Sequence, residues 1–187
     1  MSDLIRAFIA FELEEKVILK LSEIQNKLKS YKLDVKWVNP SGIHLTLKFL
    51  GNIFQSDISK IKAIMEDSIK GYLPISLKIS NLGCFPSIKK TRVVWTGISG
   101  ELTSLFNLQK KMEVNLESIG FPKEDRPFKG HLTLGRAKSP IDLTKIIDIA
   151  EEFFESESFI CDKIILFKSD LKSHGAVYTK LITSIIK

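Results

Sequence analysis

Cysteine and histidine are scarce in this chain of 187 residues, which contains two cysteines and three histidines. Cys84 and Cys161 lie in separate apolar stretches and lack the spacing of a metal-binding pair. We therefore expect two reduced, buried thiols in a cytoplasmic protein. The chain also lacks a Gly-x-Ser-x-Gly word and any signature of a catalytic cysteine, so nothing indicates nucleophilic catalysis by serine or cysteine.

A long hydrophobic run is also missing. No stretch of 18 apolar residues occurs, so we expect no association with a membrane. Near the start of the chain, Asp3, Arg6 and Glu12 interrupt the apolar run that a signal peptide would need. No change of composition marks a linker, and residues 1–187 are expected to form a single bilobal domain.

Positive charge is in moderate excess. The net charge of +6 and the isoelectric point near 9.2 favour an anionic partner such as a nucleic acid or a nucleotide. A similar excess of lysine is also common on the surfaces of proteins that bind no nucleic acid. Hydrophobic residues make up 44% of the chain and charged residues 27%, proportions typical of a folded globular protein.

Strand and helix periodicities alternate along the chain and predict four helices and about eight strands. Several connections between strands are short, which favours antiparallel pairing. The predicted fold class is therefore α+β, with helices packed on antiparallel or mixed sheets. Among the predicted boundaries, one strand ends at Gly51, one helix begins after Ser56, and another begins at Ser139-Pro140 and ends near Phe154.

The word His-Leu-Thr-Leu occurs twice, at residues 44–47 and 131–134. Its repetition suggests an internal duplication of roughly 90 residues. Side chains alternate between the two faces of a strand, so each word presents a histidine and a threonine on one face and two leucines on the other. If the two strands are neighbours, two imidazoles and two hydroxyls line one cleft.

Such a set of groups suits displacement at phosphorus. A base must deprotonate the attacking oxygen and an acid must protonate the leaving oxygen on the opposite side. Imidazole has a usual pKa near 6.5, so one ring can be neutral while the other is protonated. Threonine hydroxyls can donate hydrogen bonds to the non-bridging oxygens.

Two other interpretations of the histidines remain open. A strand histidine is often a structural residue with a satisfied hydrogen bond. A metal site would need further ligands, and no carboxylate is placed like a ligand beside either histidine. We therefore predict neither a metal nor a cofactor.

Five blocks of the chain resemble, in the same order, those of the two-histidine phosphoesterases, in particular the bacterial and archaeal RNA 2′,3′-cyclic phosphodiesterases, formerly called 2′-5′ RNA ligases. The blocks are RAFIAFEL, WVNPSGIHLTLKFLG, GCFPSIKKTRVVWTGI, FKGHLTLGR and LFKSDLKSHGAVYTKL. The resemblance implies two pseudo-symmetric lobes of antiparallel or mixed sheet with outer helices, each giving one HxT strand to a central cleft. It also implies metal-free hydrolysis of a terminal 2′,3′-cyclic phosphate to a 2′-phosphomonoester.

The same resemblance implies roles for the repeated residues. His44 would donate a proton to the leaving 3′ oxygen, and His131 would activate water. Thr46 and Thr133 would bind the phosphate oxygens. Where relatives often have proline directly before the second histidine, this chain has Gly130.

Phe49 and Arg136, each five residues after its histidine, match positions that sandwich a base in the family. Strict alternation would turn both side chains away from the histidines, so the strands must bend or end near them, where Gly51 and Gly135 could permit it.

Two further basic residues are candidates for the cleft. In a regular strand Lys48 would lie on the same face as His44, so it could help neutralise a phosphate, although a position at the rim of the cleft also fits. Arg6 would lie on the same strand face as Phe8 and could reach the cleft. His174, the third histidine, precedes Gly175 and is predicted to lie in a hairpin turn.

Three alternative functions stay open beside the RNA phosphodiesterase. They are a cyclic phosphodiesterase acting on small nucleotides, the reverse 2′-5′ ligation of RNA, and a nucleotide- or RNA-binding module without turnover. Both HxT words are intact, which favours an enzyme. The expected partner is RNA with a 2′,3′-cyclic phosphate end or a related nucleotide, and the expected state is a monomer.

Overall fold

A computed structural model describes residues 4–147, 158–172 and 175–187 of the chain. The described strands are β1 (Leu4–Phe11), β2 (Val35–Trp37), β3 (Leu45–Phe54), β4 (Ile75–Phe85), β5 (Thr91–Gly100), β6 (His131–Ile141), β7 (Phe159–Cys161), β8 (Lys163–Lys172) and β9 (Gly175–Ile185). The described helices are α1 (Glu15–Lys29), α2 (Ile58–Ser68), α3 (Leu102–Glu117) and α4 (Thr144–Ile147). The predicted helix end near Phe154 and the predicted turn at His174 lie outside the described residues.

The strands form one curled sheet in the order β7-β4-β5-β6-β3-β1-β8-β9, with β2 paired to β6. The described pairings are antiparallel. The predicted α+β class is confirmed, with antiparallel rather than mixed pairing in these pairs. None of the described helices has the length and apolar character that crossing a membrane requires.

The chain order contains a repeat. Apart from the short strands β2 and β7, the succession β1-α1-β3-α2-β4, which we call the first repeat, recurs as β5-α3-β6-α4-β8, the second repeat. Within each repeat the HxT strand pairs with the strand that opens the repeat, β3 with β1 and β6 with β5. The two HxT strands meet each other at a single residue pair, Leu45 with Leu132, in the middle of the sheet.

The helices cover one face of this sheet because each has an apolar stripe at helical spacing. The inward residues of these stripes are buried in one core that also contains the leucines of both repeated words. These residues include Val17, Leu21, Ile24 and Leu28 of α1, Ile61 and Met65 of α2, and Leu105, Leu108, Met112 and Leu116 of α3. The opposite, concave face of the sheet is therefore left to carry a site.

Three boundaries that local signals predict are wrong, and tertiary pairing explains two of them. Strand β3 continues past Gly51 to Phe54 because β1 supplies backbone partners as far as Leu4. Strand β6 continues through Ser139 and Pro140, since Thr91 pairs with Ile141. The third concerns α2, which begins at Ile58 after a 3-10 turn that contains Ser56, so that serine is not its cap.

The start of α4 follows from the longer β6. The carboxylate of Asp142 accepts hydrogen bonds from the backbone and the hydroxyl of Thr144, so Asp142 takes the capping role predicted for Ser139.

The two cysteines differ in their surroundings. Cys161 is buried, and burial raises the pKa of its thiol well above the usual range. Cys84 is only half-buried. Of the two predicted buried thiols, only that of Cys161 is fully buried.

Candidate active site

A cleft of about 550 Å³ opens on the concave face where the two HxT strands meet. It brings together every predicted site residue except Lys48, namely Arg6, His44, Thr46, Phe49, His131, Thr133 and Arg136. The cleft is also lined by Phe8, Ser169, Leu171 and Tyr178. Of these four, only Phe8 was expected from the sequence to lie on the strand face that points towards the cleft. The histidine and the threonine of both repeated words thus line the same cavity.

The single contact between the HxT strands sets the order of the polar side chains. Leu45 lies opposite Leu132, and both are fully buried in the core. Because the pairing is antiparallel, His44 lies opposite Thr133 and Thr46 lies opposite His131. Each imidazole is therefore next to the hydroxyl of the other repeat, and the predicted separation of leucines from polar residues is confirmed.

Both HxT strands contain a β-bulge at the last leucine of the repeated word. On β3, Ala10 pairs with Thr46 and Ile9 pairs with Lys48, which leaves Leu47 without a partner in the register. On β6, Trp95 pairs with Thr133 and Val94 pairs with Gly135, which leaves Leu134 without one. An extra residue reverses the alternation of side chains along a strand.

This reversal turns Phe49 and Arg136 towards the histidines, as the resemblance required. The bend arises at the leucines and not at Gly51 or Gly135, where the sequence had placed it.

A buried glutamine supports each bulge. A bulge interrupts the ladder of backbone hydrogen bonds, and a buried carbonyl there needs another donor. The carbonyl of Leu134 accepts from Nε2 of Gln25 on α1 at 2.8 Å and from the backbone N–H of Val38 at 2.9 Å. Gln109 of α3 donates to the carbonyl of Leu47 at 3.4 Å. Each helix therefore supports the bulge of the other repeat.

Neither glutamine is among the residues predicted from the sequence. The signal that could have found them is a polar residue beside the apolar stripe of each helix, where Gln25 is fully buried and Gln109 is 8% exposed.

Backbone carbonyls fix the orientation of both imidazoles. The Nδ1 atom of His44 lies 2.8 Å from the carbonyl oxygen of Gly42, and that of His131 lies 2.7 Å from the carbonyl oxygen of Lys129. A carbonyl only accepts a hydrogen bond, so Nδ1 carries a proton in both rings. The atom that can gain or lose a proton is therefore Nε2 in each histidine, and it is the atom left to a ligand.

The turn before His44 is fixed by local sequence. Asn39 accepts hydrogen bonds at its Oδ1 from the backbone and the hydroxyl of Ser41, and Pro40 opens a 3-10 turn that ends at Gly42. The word Asn-Pro-Ser-Gly thus forms a turn, and its last residue supplies the carbonyl that holds His44.

Aromatic rings enclose each histidine. Phe8 stacks on His44 with centroids 4.5 Å apart, and Tyr178 meets His44 edge-on at 5.1 Å. Phe85 meets His131 edge-on at 5.3 Å, and Trp95 is tilted against it at 5.8 Å. These rings shield part of each imidazole from water.

Burial is the main reason that the pKa of both histidines is lowered from the usual 6.5. The hydrogen bond to the carbonyl opposes this effect in each ring. The charges of Arg136 and Lys129 lower the pKa of His131 further, whereas the pKa of His44 is lowered further only by His131. The charged form is thus disfavoured in both rings, and at His131 two permanent cations add to the effect.

The cleft is prepared for an anion. Within the described ranges, neither Arg6 nor Arg136 has a carboxylate partner, and the hydroxyls of Thr46 and Thr133 have no hydrogen-bond partner. Burial raises the pKa of Tyr178, so its hydroxyl stays protonated and can donate. Two unpaired cations and several free donors surround two imidazoles, an arrangement that can bind a phosphate and transfer protons on both of its sides.

The prediction that Lys48 contributes to the cleft is wrong. Its side chain is 3% exposed, and its Nζ lies 3.0 Å from both carboxylate oxygens of Glu113 and 2.6 Å from the carbonyl of Pro122. The bulge at Leu47 explains the error, because it moves Lys48 to the strand face opposite to that of His44 and Thr46. Lys48 instead joins β3 to α3 and to the loop that leads to His131.

No group of three or more histidine, cysteine, aspartate and glutamate side chains that could hold a metal ion occurs in the part of the chain that the structure describes.

Comparisons with known proteins agree with this architecture. Residues 11–95 and 98–178 match the LigT-like phosphoesterase family, and each of these two ranges contains one HxT word. The RNA 2′,3′-cyclic phosphodiesterase of Methanothermobacter thermautotrophicus is 33% identical over 95% of this chain and 96% of its own length. The enzyme of the same name from Aquifex aeolicus is 33% identical over 94% of each chain.

Solved structures show the same fold. The crystal structure of TT0787 of Thermus thermophilus has a TM-score of 0.81, with 26% identity and 97% of each chain covered. The crystal structure of Escherichia coli LigT complexed with 3′-AMP has a TM-score of 0.76, with 19% identity and 98% of each chain covered.

Proposed function

The chain belongs to the LigT-like phosphoesterase family, and on this basis we propose that it hydrolyses terminal 2′,3′-cyclic phosphates of RNA to 2′-phosphomonoesters. Relatives at 33% identity carry the name RNA 2′,3′-cyclic phosphodiesterase. The observation that carries the proposal is the pair of imidazoles with Nδ1 bound to the backbone and Nε2 left for one anion-binding cleft.

His131 is the base and His44 the acid in the proposed mechanism. A water oxygen attacks phosphorus while Nε2 of His131 takes one of its protons. The bond from phosphorus to the 3′ oxygen breaks on the opposite side, and that oxygen takes the proton from Nε2 of His44. Lys129 and Arg136 support this assignment, because their charges favour the neutral form of His131.

Hydroxyl groups and arginines stabilise the transition state in this proposal. Charge accumulates on the non-bridging oxygens during attack, where Thr46 and Thr133 can donate hydrogen bonds. Both hydroxyls have no competing partner among the described residues. Arg6 supplies a further positive charge within the same cleft.

Phe49 and Arg136 hold the terminal base in this proposal. The ring of Phe49 is 56% exposed although it is a large apolar group, which fits a surface that a ligand covers. A phenyl ring and a guanidinium both stack on any base, so they give affinity with little preference among bases.

Both halves of the sheet contribute to this cleft, so we also propose that residues 1–187 act as one bilobal unit. Hydrolysis is favoured over the reverse ligation, because water is present at a far higher concentration than a 5′-hydroxyl end.

The product identifies the reaction. An oligonucleotide that ends in a 2′,3′-cyclic phosphate, incubated with the protein and a chelator, is expected to yield a 2′-phosphate end. The experiment separates the isomers by chromatography against synthetic 2′- and 3′-phosphate standards. A 3′-phosphate product, or activity that disappears when the chelator is added, would contradict the proposed geometry of attack.

The lowered pKa of both histidines predicts the pH dependence. The base works only above its pKa and the acid only below its own, and both values lie below 6.5 in the free protein. The profile of kcat/KM, which reports on free enzyme, should therefore be bell-shaped with its maximum below pH 6.5.

The profile of kcat should extend to higher pH, because a bound phosphate anion stabilises the charged acid and raises its pKa. A kcat/KM profile whose alkaline limb lies above pH 6.5 would show that the acid is not the buried His44 described above.

A further inference from the structure

A second groove, of about 230 Å³, lies beside the cleft on the far side of His131. Its floor is Gly97, which pairs with His131 across β5 and β6 and so lies on the concave face. Its walls include three aromatic rings, those of Trp95, Phe106 and Phe128. Trp95 also contacts the ring of His131, so the groove begins where the cleft ends.

The groove has the components of a nucleotide site. Phe106 is 43% exposed and meets Phe128 edge-on with centroids 5.9 Å apart, so an aromatic surface faces solvent. The Nζ atom of Lys129 lies 4.6 Å from the centroid of Trp95, and the lysine has no carboxylate partner among the described residues. The amide of Asn81 adds a polar group at the edge.

Glycine at position 97 leaves room for two polar side chains beside the groove. A Cβ atom there would lie 2.7 Å from Oδ1 of Asn81 and 2.8 Å from Oγ of Ser80, closer than unbonded atoms approach. A larger residue would therefore displace these side chains.

The pseudo-symmetric counterpart beside His44 differs in charge. That groove, of about 170 Å³, is lined by the carboxylate of Glu12, which is ion-paired with Lys180. It thus offers a negative group and a neutralised lysine, whereas the groove beside His131 offers an unpaired cation and stacking surfaces. Only the latter complements an RNA strand.

We propose that this groove binds the nucleotide that precedes the cyclic phosphate end of the RNA substrate. The base of that nucleotide stacks on Phe106 and Phe128, and Lys129 contacts its phosphate. The inference rests on the proposed function, because the terminal nucleotide occupies the cleft. It implies that the protein distinguishes an RNA end from a free cyclic nucleotide.

The test compares adenosine 2′,3′-cyclic phosphate with a dinucleotide and a trinucleotide that end in the same group. Wild-type kcat/KM should rise by about 5- to 150-fold from the mononucleotide to the dinucleotide, as expected for one stacked base. In Phe106→Ser the ratio of the two kcat/KM values should fall towards one. Val114→Ser, at a 48% exposed position on the same helix that does not line the groove, should keep the wild-type ratio.

Lys129→Gln provides a second measurement that does not depend on Phe106. The same ratio should fall, and its dependence on salt should weaken, because one contact between a cation and a phosphate is lost.

The outcomes separate the two proposals. Equal kcat/KM for mononucleotide and dinucleotide in wild type would overturn the groove and leave the proposed function intact. A gain with length that Phe106→Ser preserves would also overturn it. Hydrolysis of neither substrate would overturn the proposed function, and the groove with it.

Discussion

Replacing His44 or His131 by alanine is expected to lower kcat on an RNA 2′,3′-cyclic phosphate by at least about 10²-fold. Each Nε2 is the only atom of its ring that can exchange a proton in the cleft, since the backbone occupies Nδ1. Removing one ring leaves either the attacking water or the leaving oxygen without a partner for its proton. The double variant should lose much less than the product of the two single losses, because both rings serve the same transition state.

The measurement is single-turnover hydrolysis of the dinucleotide substrate, with thermal unfolding as a check on the fold. His174→Ala is the matched control, since this third histidine lies outside both HxT words, and it should keep wild-type kcat. If either single variant retains more than about a tenth of wild-type kcat while it remains folded, the two-imidazole mechanism is wrong.

Replacing Lys48 by alanine should lower the free energy of unfolding by about 3–5 kcal/mol. The substitution leaves the carboxylate of Glu113, which is 7% exposed, in the core without its counter-ion. The carbonyl of Pro122 loses a donor at the same time. The loss is large for a polar side chain, because an unpaired buried charge is among the most unfavourable groups in a folded protein.

Urea unfolding measures this loss, and two further variants test its cause. Lys62→Ala removes an exposed ion pair with Glu66 on α2 and should cost only about 0.3–0.5 kcal/mol. The double variant Lys48→Met with Glu113→Gln removes both charges and keeps an acceptor for the backbone of Glu124, so it should recover more than half of the loss. A loss in Lys48→Ala no larger than that in Lys62→Ala would show that the ion pair adds nothing to stability.

Lys48 also shows why the alternation of side chains cannot be extrapolated along a whole strand. The rule of alternation was correct from His44 to Thr46 and wrong for the residues that follow. A bulge depends on what the neighbouring strand and the covering helix supply, and both lie far away in sequence. Nothing in the word LTLKF itself shows that Leu47 is bulged, since its register is set by β1 and its carbonyl is bound by Gln109.

The contacts between the histidines and their aromatic neighbours depend on the tertiary structure. Trp95 and Phe85 reach His131 from β5 and β4, and Tyr178 reaches His44 from β9. These contacts lower the pKa of the imidazoles and depend on strands that come together only in the folded sheet. The sequence showed that two imidazoles were present, but it carried no information about how far each ring is buried.

By itself, the sequence determined what depends on near neighbours along the chain. The apolar stripes of the helices, the turn at Asn39 to Gly42 and the division of each HxT word into a buried and a polar face follow from backbone geometry within a few residues. The fold class follows from the alternation of these local periods. The sequence alone also identified the two functional histidines, since each begins one copy of the repeated word.

The tertiary structure alone decided which side chains meet. The antiparallel contact of Leu45 with Leu132 set each histidine beside the threonine of the other repeat. The two bulges, supported by Gln25 and Gln109, turned one aromatic ring and one guanidinium towards the cleft and Lys48 away from it. The physical reason is that strand register and the burial of charge are settled by partners distant in sequence, whose positions exist only once the sheet has formed.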